Sequence, residues 1–291
     1  MSKIAIIGLG LIGGSLGLDL RQKGYTVVGI ARRNETCYQA LTLGAVDQAG
    51  TDLSLVQGAD VVFICTPIDG VIATAKAIVP YLQTHAVITD VASVKGAIVP
   101  ALTALWPHFV GGHPMAGKAT AGLGVAEANL FRGKPYVLTP TEQTSASDLA
   151  TVAALVEHLG ADLYQCHPQA HDRAVAWISH LPVMVSSGLI QACLQEPDPE
   201  ILALAQALAS SGFRDTSRVG GGVPELGTLM ARHNREALLQ ALAVYQGQLD
   251  HLTQLIQTEN WDGLSLFLGQ TQAARPTYVQ SPLEPTDQEA G

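Results

Sequence analysis

A glycine-rich turn near the amino terminus constrains the fold of this chain more than any other feature. Residues 3–7 are apolar and predict a short strand, which runs into Gly8-Leu9-Gly10-Leu11-Ile12-Gly13. A helical pattern follows to residue 22, and residues 25–30 predict a second strand. A Gly-x-Gly-x-x-Gly run is a weak signal alone, but between a strand and a helix it is typical of dinucleotide binding. We therefore predict an α/β, Rossmann-type domain in which residues 8–13 bind the pyrophosphate at the start of a helix.

The end of the second predicted strand selects between the two nicotinamide cofactors. An NAD site usually places a carboxylate there to bind the ribose hydroxyls. Here the sequence is Ala31-Arg32-Arg33, without an acidic residue. Two guanidinium groups can bind a 2′-phosphate through charge-assisted hydrogen bonds, so these residues predict NADP. The alternative is that both arginines are solvated surface charges.

Two further apolar runs, residues 60–67 and 86–91, predict strands of a parallel sheet that is covered on both faces. Their carboxyl ends should face the ligand crevice, which places Cys65, Thr66 and Pro67 beside the cofactor. Ser93 would lie on the same rim and bind a cofactor or substrate oxygen. An equally acceptable role for Ser93 is to cap a helix predicted at residues 95–105.

The segment Gly111-Gly112-His113-Pro114-Met115-Ala116-Gly117 is the main candidate for catalysis. Glycine permits close approach of the main chain to a ligand, and proline favours an extended residue before it. We expect His113 to project from a loop, where a neutral imidazole can accept a proton. The alternative is a tight turn with an incidental histidine.

The predicted elements divide the chain into two domains and a tail. Strands at residues 134–140 and 161–166 and a helix at 147–158 complete a nucleotide-binding domain of residues 1–166. From residue 167 to 280 only helices are predicted, and apolar residues on many of their faces favour packing against a second copy of the chain. Residues 281–291 contain two prolines and three acidic residues and are expected to be a disordered tail.

Three positions in the helical part are candidates for substrate binding. His180 precedes Pro182 in an apolar helix and could enter an active site, but the residues alone favour a buried structural histidine over a ligand there. Arg214 and Arg218 fall in a predicted loop, where arginines suit the carboxylates of a small acid. His167 and His171 have a metal-binding spacing, but without a further ligand nearby we expect no metal site.

Composition excludes several other classes of protein. The net charge of −9 argues against binding of nucleic acid or of an anionic membrane. The apolar start contains five glycines and lacks a basic run, so it does not resemble a signal peptide. The four scattered cysteines are expected to be reduced thiols of a cytoplasmic protein.

Several motifs occur together in a familiar order. They are the glycine turn, Asp90-Val91-Ala92-Ser93-Val94-Lys95, the His113 segment, Ser179-His180-Leu181-Pro182 and Asp215-Thr216-Ser217-Arg218. Over residues 1–275 the chain resembles the prephenate/arogenate dehydrogenase family of tyrosine biosynthesis. It is most similar to the short, NADP-dependent cyanobacterial members, and we expect neither a chorismate mutase segment before it nor a regulatory domain after it.

This resemblance implies the oxidative decarboxylation of a cyclohexadienol. His113 would remove the proton of the ring C4 hydroxyl, hydride would pass from C4 to the nicotinamide, and the ring carboxylate would leave as carbon dioxide. Ser93 would help to hold that hydroxyl, and His180 and Arg218 would bind substrate. Arg214 and Lys118 are less firmly implied as substrate contacts. Activity is expected to fall at acid pH, where His113 becomes protonated.

The substrate's side chain is less well specified by the resemblance. Many family members continue Thr-Glu-Lys-Ser-Gly after Gly117, whereas this chain has Lys118-Ala119-Thr120-Ala121-Gly122. Val183 also stands where the family often has histidine. We favour L-arogenate over prephenate, since NADP use and arogenate preference tend to occur together. The alternatives are another NADP-dependent imine or hydroxyacid reductase and a non-catalytic, dimeric NADP sensor.

Overall fold

An eight-stranded sheet forms the centre of the amino-terminal region in a computed structural model that describes residues 2–118 and 120–279. The strands lie in the order β3-β2-β1-β4-β5-β6-β7-β8. All neighbouring pairs are parallel except β6 with β7. The strands are β1 (Lys3–Ile7), β2 (Thr26–Ile30), β3 (Gln48–Gly50), β4 (Val61–Ile64), β5 (Val87–Asp90), β6 (Phe109–Pro114), β7 (Pro135–Thr139) and β8 (Asp162–Gln165).

Two apolar cores cover the two faces of this sheet. Ile4 and Ile6 of β1 belong to one core, and Ala5 and Ile7 belong to the other. Successive side chains of a strand point to opposite faces, so a strand buried on both faces must be apolar throughout. The covering helices are α1 (Leu11–Gln22), α2 (Asn34–Leu43), α3 (Ile68–Ile78), α4 (Ile98–Leu105) and α5 (Ala146–His158). The predicted Rossmann-type fold is confirmed.

The expected loop around His113 is wrong, because His113 lies in strand β6. The strand pairs antiparallel with β7, with His113 opposite Val137. A Cβ atom at Gly112 would lie 2.8 Å from the main-chain oxygen of Asp90, so the glycine allows close strand packing rather than a turn. Pro114 is tolerated because it ends the strand.

Only helices follow the sheet among the residues that the structure describes. They are α6 (Pro168–Val175), α7 (Leu181–Cys193), α8 (Pro199–Leu208), α9 (Ser211–Ser217), α10 (Pro224–His233), α11 (Arg235–Gln257) and α12 (Trp261–Ala274). A π-helix, Ala176–His180, joins α6 to α7. The predicted helical region is confirmed.

The loop predicted around Arg214 and Arg218 is also wrong. Helix α9 occupies most of it, and Arg218–Gly221 forms a 3₁₀ turn. The hydroxyls of Thr216 and Ser217 donate to main-chain oxygens one turn earlier, at 2.8 and 2.6 Å. The helix therefore satisfies the polar side chains that indicated a loop.

The chain separates into two compact units, Met1–Leu238 and Leu239–Gly291. The first contains the sheet and the helices up to α10, and the second contains α12. The domain boundary predicted at residue 166 therefore stays a prediction. The predicted tail at 281–291 lies outside the described residues.

The continuous helical run Pro168–Cys193 is long and apolar enough to cross a membrane by length and composition alone. It also carries four buried polar residues, His171, Asp172, His180 and Ser186, all hydrogen-bonded within the first unit. Such side chains are costly in a lipid interior. Their bonding favours a helix that packs within a folded domain.

Candidate active site

The three glycines of the first turn have different structural roles. Gly8 has a φ angle of +100°, and a Cβ atom there would lie 2.5 Å from the main-chain oxygen of Cys65. A Cβ atom on Gly13 would lie 2.1 Å from the oxygen of Gly8. A Cβ atom on Gly10 would meet nothing within 4 Å. The first and third glycines are thus required by packing, whereas the second borders open space.

That open space suits a phosphate group. Gly10 precedes helix α1 and has no side-chain capping bond. The amides of the first helical turn, including those of Leu11 and Ile12, have no carbonyl partner within the helix. Such a helix start attracts anions. Leu9 does not face this space, because its side chain is buried in the core.

The predicted cofactor residues after β4 lie against the glycine turn. Cys65, Thr66 and Pro67 follow Ile64, and the hydroxyl oxygen of Thr66 is buried without a partner among the described residues. An unpaired buried hydroxyl favours a ligand that can bond to it. Burial raises the pKa of the Cys65 thiol, which keeps it neutral. This crevice therefore fits a dinucleotide.

The residues predicted to select the cofactor lie at the end of β2. Ala31 is buried, and Arg32 and Arg33 are exposed. The amide of Gly8 donates to the main-chain oxygen of Ile30 at 2.8 Å, so the end of this strand adjoins the glycine turn. Both arginines are thus placed at the rim of the crevice.

Ser93 lies in a loop whose main chain is fixed by hydrogen bonds on both sides of the serine. Before it, the amide of Ala92 donates to Asp90 at 3.0 Å. After it, the amides of Lys95 and Gly96 donate to the carboxylate of Asp172 at 2.8 and 2.7 Å. The capping role considered for Ser93 is wrong, since helix α4 begins five residues later at Ile98 and has no side-chain cap.

A buried ion pair fixes the main chain next to His113. Lys95 and Asp90 form this pair, and both side chains are fully buried. The Lys95 ammonium also donates to the main-chain oxygen of Gly112 at 2.6 Å, and Asp90 accepts from the Gly112 amide at 3.2 Å. Both main-chain polar groups of Gly112 are therefore bonded to one ion pair, which limits movement of the adjacent histidine.

His113, His171 and Asp172 form a hydrogen-bonded chain. Nδ1 of His113 lies 2.8 Å from Nε2 of His171, and Nδ1 of His171 lies 2.8 Å from Oδ1 of Asp172. Because a carboxylate only accepts, His171 carries a hydrogen on Nδ1, and in its neutral form it accepts with Nε2. His113 then donates from Nδ1, and its Nε2 keeps a free lone pair. This arrangement presents a basic nitrogen.

Burial lowers the pKa of His113 well below its ordinary value, and the nearby His171, Lys95 and His180 lower it further when charged. The imidazole therefore remains neutral at physiological pH. A neutral histidine oriented by a second group is the arrangement expected of a general base.

His180 also lies close to this chain of side chains. It is fully buried, although the helix geometry alone predicts that His171 and His180 face opposite directions. The π-helix Ala176–His180 separates the two residues, and its wider turn reduces the rotation between them. Burial lowers the pKa of His180 to about 4, so its ring is neutral.

The remaining predicted substrate residues are more exposed. Arg218 is exposed at the start of its turn, which packs on α7 through Gly220. Arg214 bonds Asp215 at 3.1 Å, with both side chains largely exposed. Lys118 bonds Glu127 at 2.7 Å and the oxygen of Val125 at 3.0 Å. None of these bonds joins the three residues to His113, and their binding roles stay predictions.

Sequence reasoning missed the polar residues that support His113. The sequence alone indicates only a metal-ligand spacing for His171, and it indicates no role for Asp172, Asp90 or Lys95. One signal was available, because His171-Asp172 interrupts a predominantly apolar helix. Buried polar groups need partners, so such a pair indicates a bonded network even when its partners are unknown.

Comparison with known proteins places most of the chain in one family. Residues 16–165 match the prephenate dehydrogenase nucleotide-binding domain, and residues 167–270 match the prephenate dehydrogenase dimerization domain. A cyclohexadienyl dehydrogenase of Zymomonas mobilis is 31% identical, with 94% of each chain covered.

Two solved structures are also similar. Arogenate dehydrogenase of Synechocystis is 53% identical, with a TM-score of 0.85, covering 95% of this chain and 100% of that one. Prephenate dehydrogenase of Aquifex aeolicus, solved with hydroxyphenyl propionate and NAD⁺, is 30% identical, with a TM-score of 0.90 and coverages of 96% and 99%.

Proposed function

This chain belongs to the prephenate dehydrogenase family of oxidoreductases, and we propose that it converts L-arogenate to L-tyrosine with NADP. Prephenate is proposed as a second substrate, which would give 4-hydroxyphenylpyruvate. The observation that carries the proposal is the His113–His171–Asp172 chain, which leaves Nε2 of His113 free and neutral. The similarity to the Synechocystis arogenate dehydrogenase supports arogenate as the preferred substrate.

In the proposed reaction, Nε2 of His113 accepts the proton of the ring C4 hydroxyl. The bound nicotinamide supplies the acceptor for the hydride from C4. Loss of carbon dioxide then leaves an aromatic ring. His171 accepts from His113 throughout, and the carboxylate of Asp172 stabilises the positive charge that the proton brings. Ser93, in its tied loop, is proposed to hold the C4 hydroxyl.

Substrate binding is proposed to use His180 and Arg218. Arginine presents paired donors that match a carboxylate, and Arg218 is exposed and available for this role. Arg214 and Lys118 are secondary candidates, because each bonds a neighbouring acid in the structure.

NADP is the proposed cofactor because residues 31–33, directly after strand β2, include no carboxylate. Arg32 and Arg33 are exposed there and would bind the 2′-phosphate, while the helix start at Gly10 would receive the pyrophosphate. The Aquifex relative was solved with NAD⁺, so kinetics with NAD and with NADP test this proposal directly.

We also propose that the protein is a cytoplasmic homodimer. The carboxyl-terminal match is to a dimerization domain. Several large apolar side chains of the helices are about half exposed, as expected of a surface that another subunit covers: Trp177, Ile178, Ile201 and Leu204.

The test is a kinetic comparison of arogenate and prephenate with NADP and with NAD. We expect the highest kcat/KM for arogenate with NADP. In that reaction, reduced cofactor and tyrosine should form in equal amounts. Reduction of the cofactor by a hydroxy acid or by an amine, without reaction of either cyclohexadienol, would contradict the proposal. A dimer in light scattering supports the assembly, and a monomer contradicts it.

A further inference from the structure

A buried asparagine outside the motifs contacts His180. Asn234 lies between α10 and α11 and is 6% exposed. Its amide nitrogen Nδ2 lies 2.7 Å from the main-chain oxygen of Asp172 and 3.0 Å from Nδ1 of His180. The side-chain amide of Asn234 therefore connects Asp172, the last residue of the His113–His171–Asp172 chain, with His180.

The contact with Asp172 fixes the orientation of the asparagine amide. A main-chain oxygen only accepts hydrogen bonds, so the atom facing it must be the amide nitrogen and not the amide oxygen. The same NH₂ group has a second hydrogen, which points to His180. Nδ1 of His180 must therefore be an acceptor.

An acceptor at Nδ1 determines the tautomer of a neutral histidine. Because burial lowers the pKa of His180 to about 4, the ring carries one hydrogen at neutral pH, and that hydrogen lies on Nε2. Nε2 is buried and has no partner among the described residues. A buried N–H donor without a partner is costly and favours a ligand that accepts from it.

We propose that Asn234 is a positioning residue that holds His180 in its Nε2–H form, so that His180 donates a hydrogen bond to an oxygen of the substrate. This rests on the proposed function. A neutral donor at this place suits a carboxylate or keto oxygen, and it disfavours an ammonium group, which cannot accept. His180 therefore recognises an oxygen that arogenate and prephenate share, such as a carboxylate oxygen, rather than the amino group that distinguishes them.

Groups on several elements face His180. Asp172 of α6 would raise the pKa of His180 and His171 would lower it, while Asn234 is uncharged. Replacing the asparagine by aspartate reverses its bonding. A carboxylate accepts, so Asn234→Asp requires a hydrogen on Nδ1 of His180, which either moves the hydrogen from Nε2 or makes the ring cationic.

The experiment combines ¹⁵N spectra of histidine-labelled protein with steady-state kinetics. The wild type should show His180, assigned with His180→Gln, as the Nε2–H tautomer without added ligand. Asn234→Asp should give the Nδ1–H tautomer or the cation. Its KM for either cyclohexadienol should rise roughly tenfold to hundredfold, with a smaller change in kcat.

Asn260→Ala is the matched control, since Asn260 also makes a structural side-chain bond, to the amide of Gly263 at 2.9 Å. It should change neither the His180 signal nor KM. A wild-type Nδ1–H signal overturns the proposal even if no Asn234 variant folds, as does a changed tautomer with an unchanged KM. Failure of the proposed function would appear separately, as a lack of turnover of both cyclohexadienols by the wild type.

Discussion

The sheet region and the helical run after it contribute to the candidate site in different ways. The sheet supplies mainly main-chain geometry, seen in the open space at Gly10 and the helix start behind it. The helical run supplies buried side chains, among them His171 and Asp172. The main-chain site is formed by residues adjacent in the sequence. The side-chain site joins distant residues, since His171 bonds His113, 58 positions away, and Asp172 bonds Lys95, 77 positions away. Local motifs therefore reveal cofactor binding more readily than the support of the catalytic base.

The largest effect should come from the residue where the two regions meet. His113→Asn removes the free Nε2 and should lower kcat by about 10²–10⁴-fold, the usual contribution of a placed general base. NADP should still bind, because the glycine turn is unchanged, and fluorescence titration measures this. His108→Asn is a control, since Nδ1 of His108 is also hydrogen-bonded, in this case to Asp148, but away from the site. A kcat within a few-fold of wild type would exclude His113 as the base.

The helical contribution is tested next by Asp172→Asn. The change removes the carboxylate that accepts from His171 and from the amides of Lys95 and Gly96. We expect kcat to fall roughly 10–10³-fold, because the tautomer of His171 is no longer fixed and the charge on His113 is less stabilised. The measurement is single-turnover kinetics with saturating cofactor.

The control for this variant is Asp148→Asn, which breaks a second carboxylate–histidine pair, with His108 at 2.9 Å. It should leave kcat nearly unchanged. Equal losses in both variants would show that Asp172 acts through general stability and would remove the distinction between the two regions.

The main-chain contribution is tested by a pair of glycine variants. Gly10→Val places its side chain in open space, so the protein should fold normally while its dissociation constant for NADP rises about tenfold or more, as the phosphate position is filled. Gly13→Val places atoms against the oxygen of Gly8, where a Cβ atom would lie at 2.1 Å. It should lower stability by about 1–3 kcal/mol.

Thermal unfolding with and without NADP separates these two outcomes. Normal cofactor binding by folded Gly10→Val would contradict the assignment of the open space to the pyrophosphate. A fully stable Gly13→Val would show that the turn can rearrange.

The same difference explains what could be predicted from the sequence. The apolar strands and the glycine turn specify the Rossmann-type fold locally, and the helical region was equally clear. The loop expected at His113 was wrong because close approach of Gly112 to Asp90 depends on a neighbouring strand. The partners of His171 were not predictable either, since packing alone brings it to His113. The roles of Ser93, Arg218 and the two rim arginines stay predictions.

Cofactor selection should respond more modestly. Replacing Arg32 and Arg33 together with alanine should reduce the ratio of kcat/KM for NADP over NAD by about tenfold, the value of one or two charge-assisted hydrogen bonds at an exposed site. Kinetics with NAD serve as the internal control and should change little. An unchanged ratio would mean that both arginines are solvated surface charges.

The smallest expected effect is a displacement of the pH profile. Since burial, and to a lesser extent the electrostatic effects of His171, Lys95 and His180, lower the pKa of His113 below its ordinary value of 6.5, kcat/KM should stay level as pH falls through 6.5 and decline only below it. His171→Gln can still accept from Nδ1 of His113 but removes the electrostatic effect by which His171 lowers the pKa of His113, so the decline should move to higher pH by less than about one unit. Burial, the larger cause, remains in the variant, and the decline should therefore stay below 6.5. A wild-type decline centred at 6.5 or above would show that His113 is more hydrated than its strand position implies. Burial in the sheet would then not lower the pKa of the base.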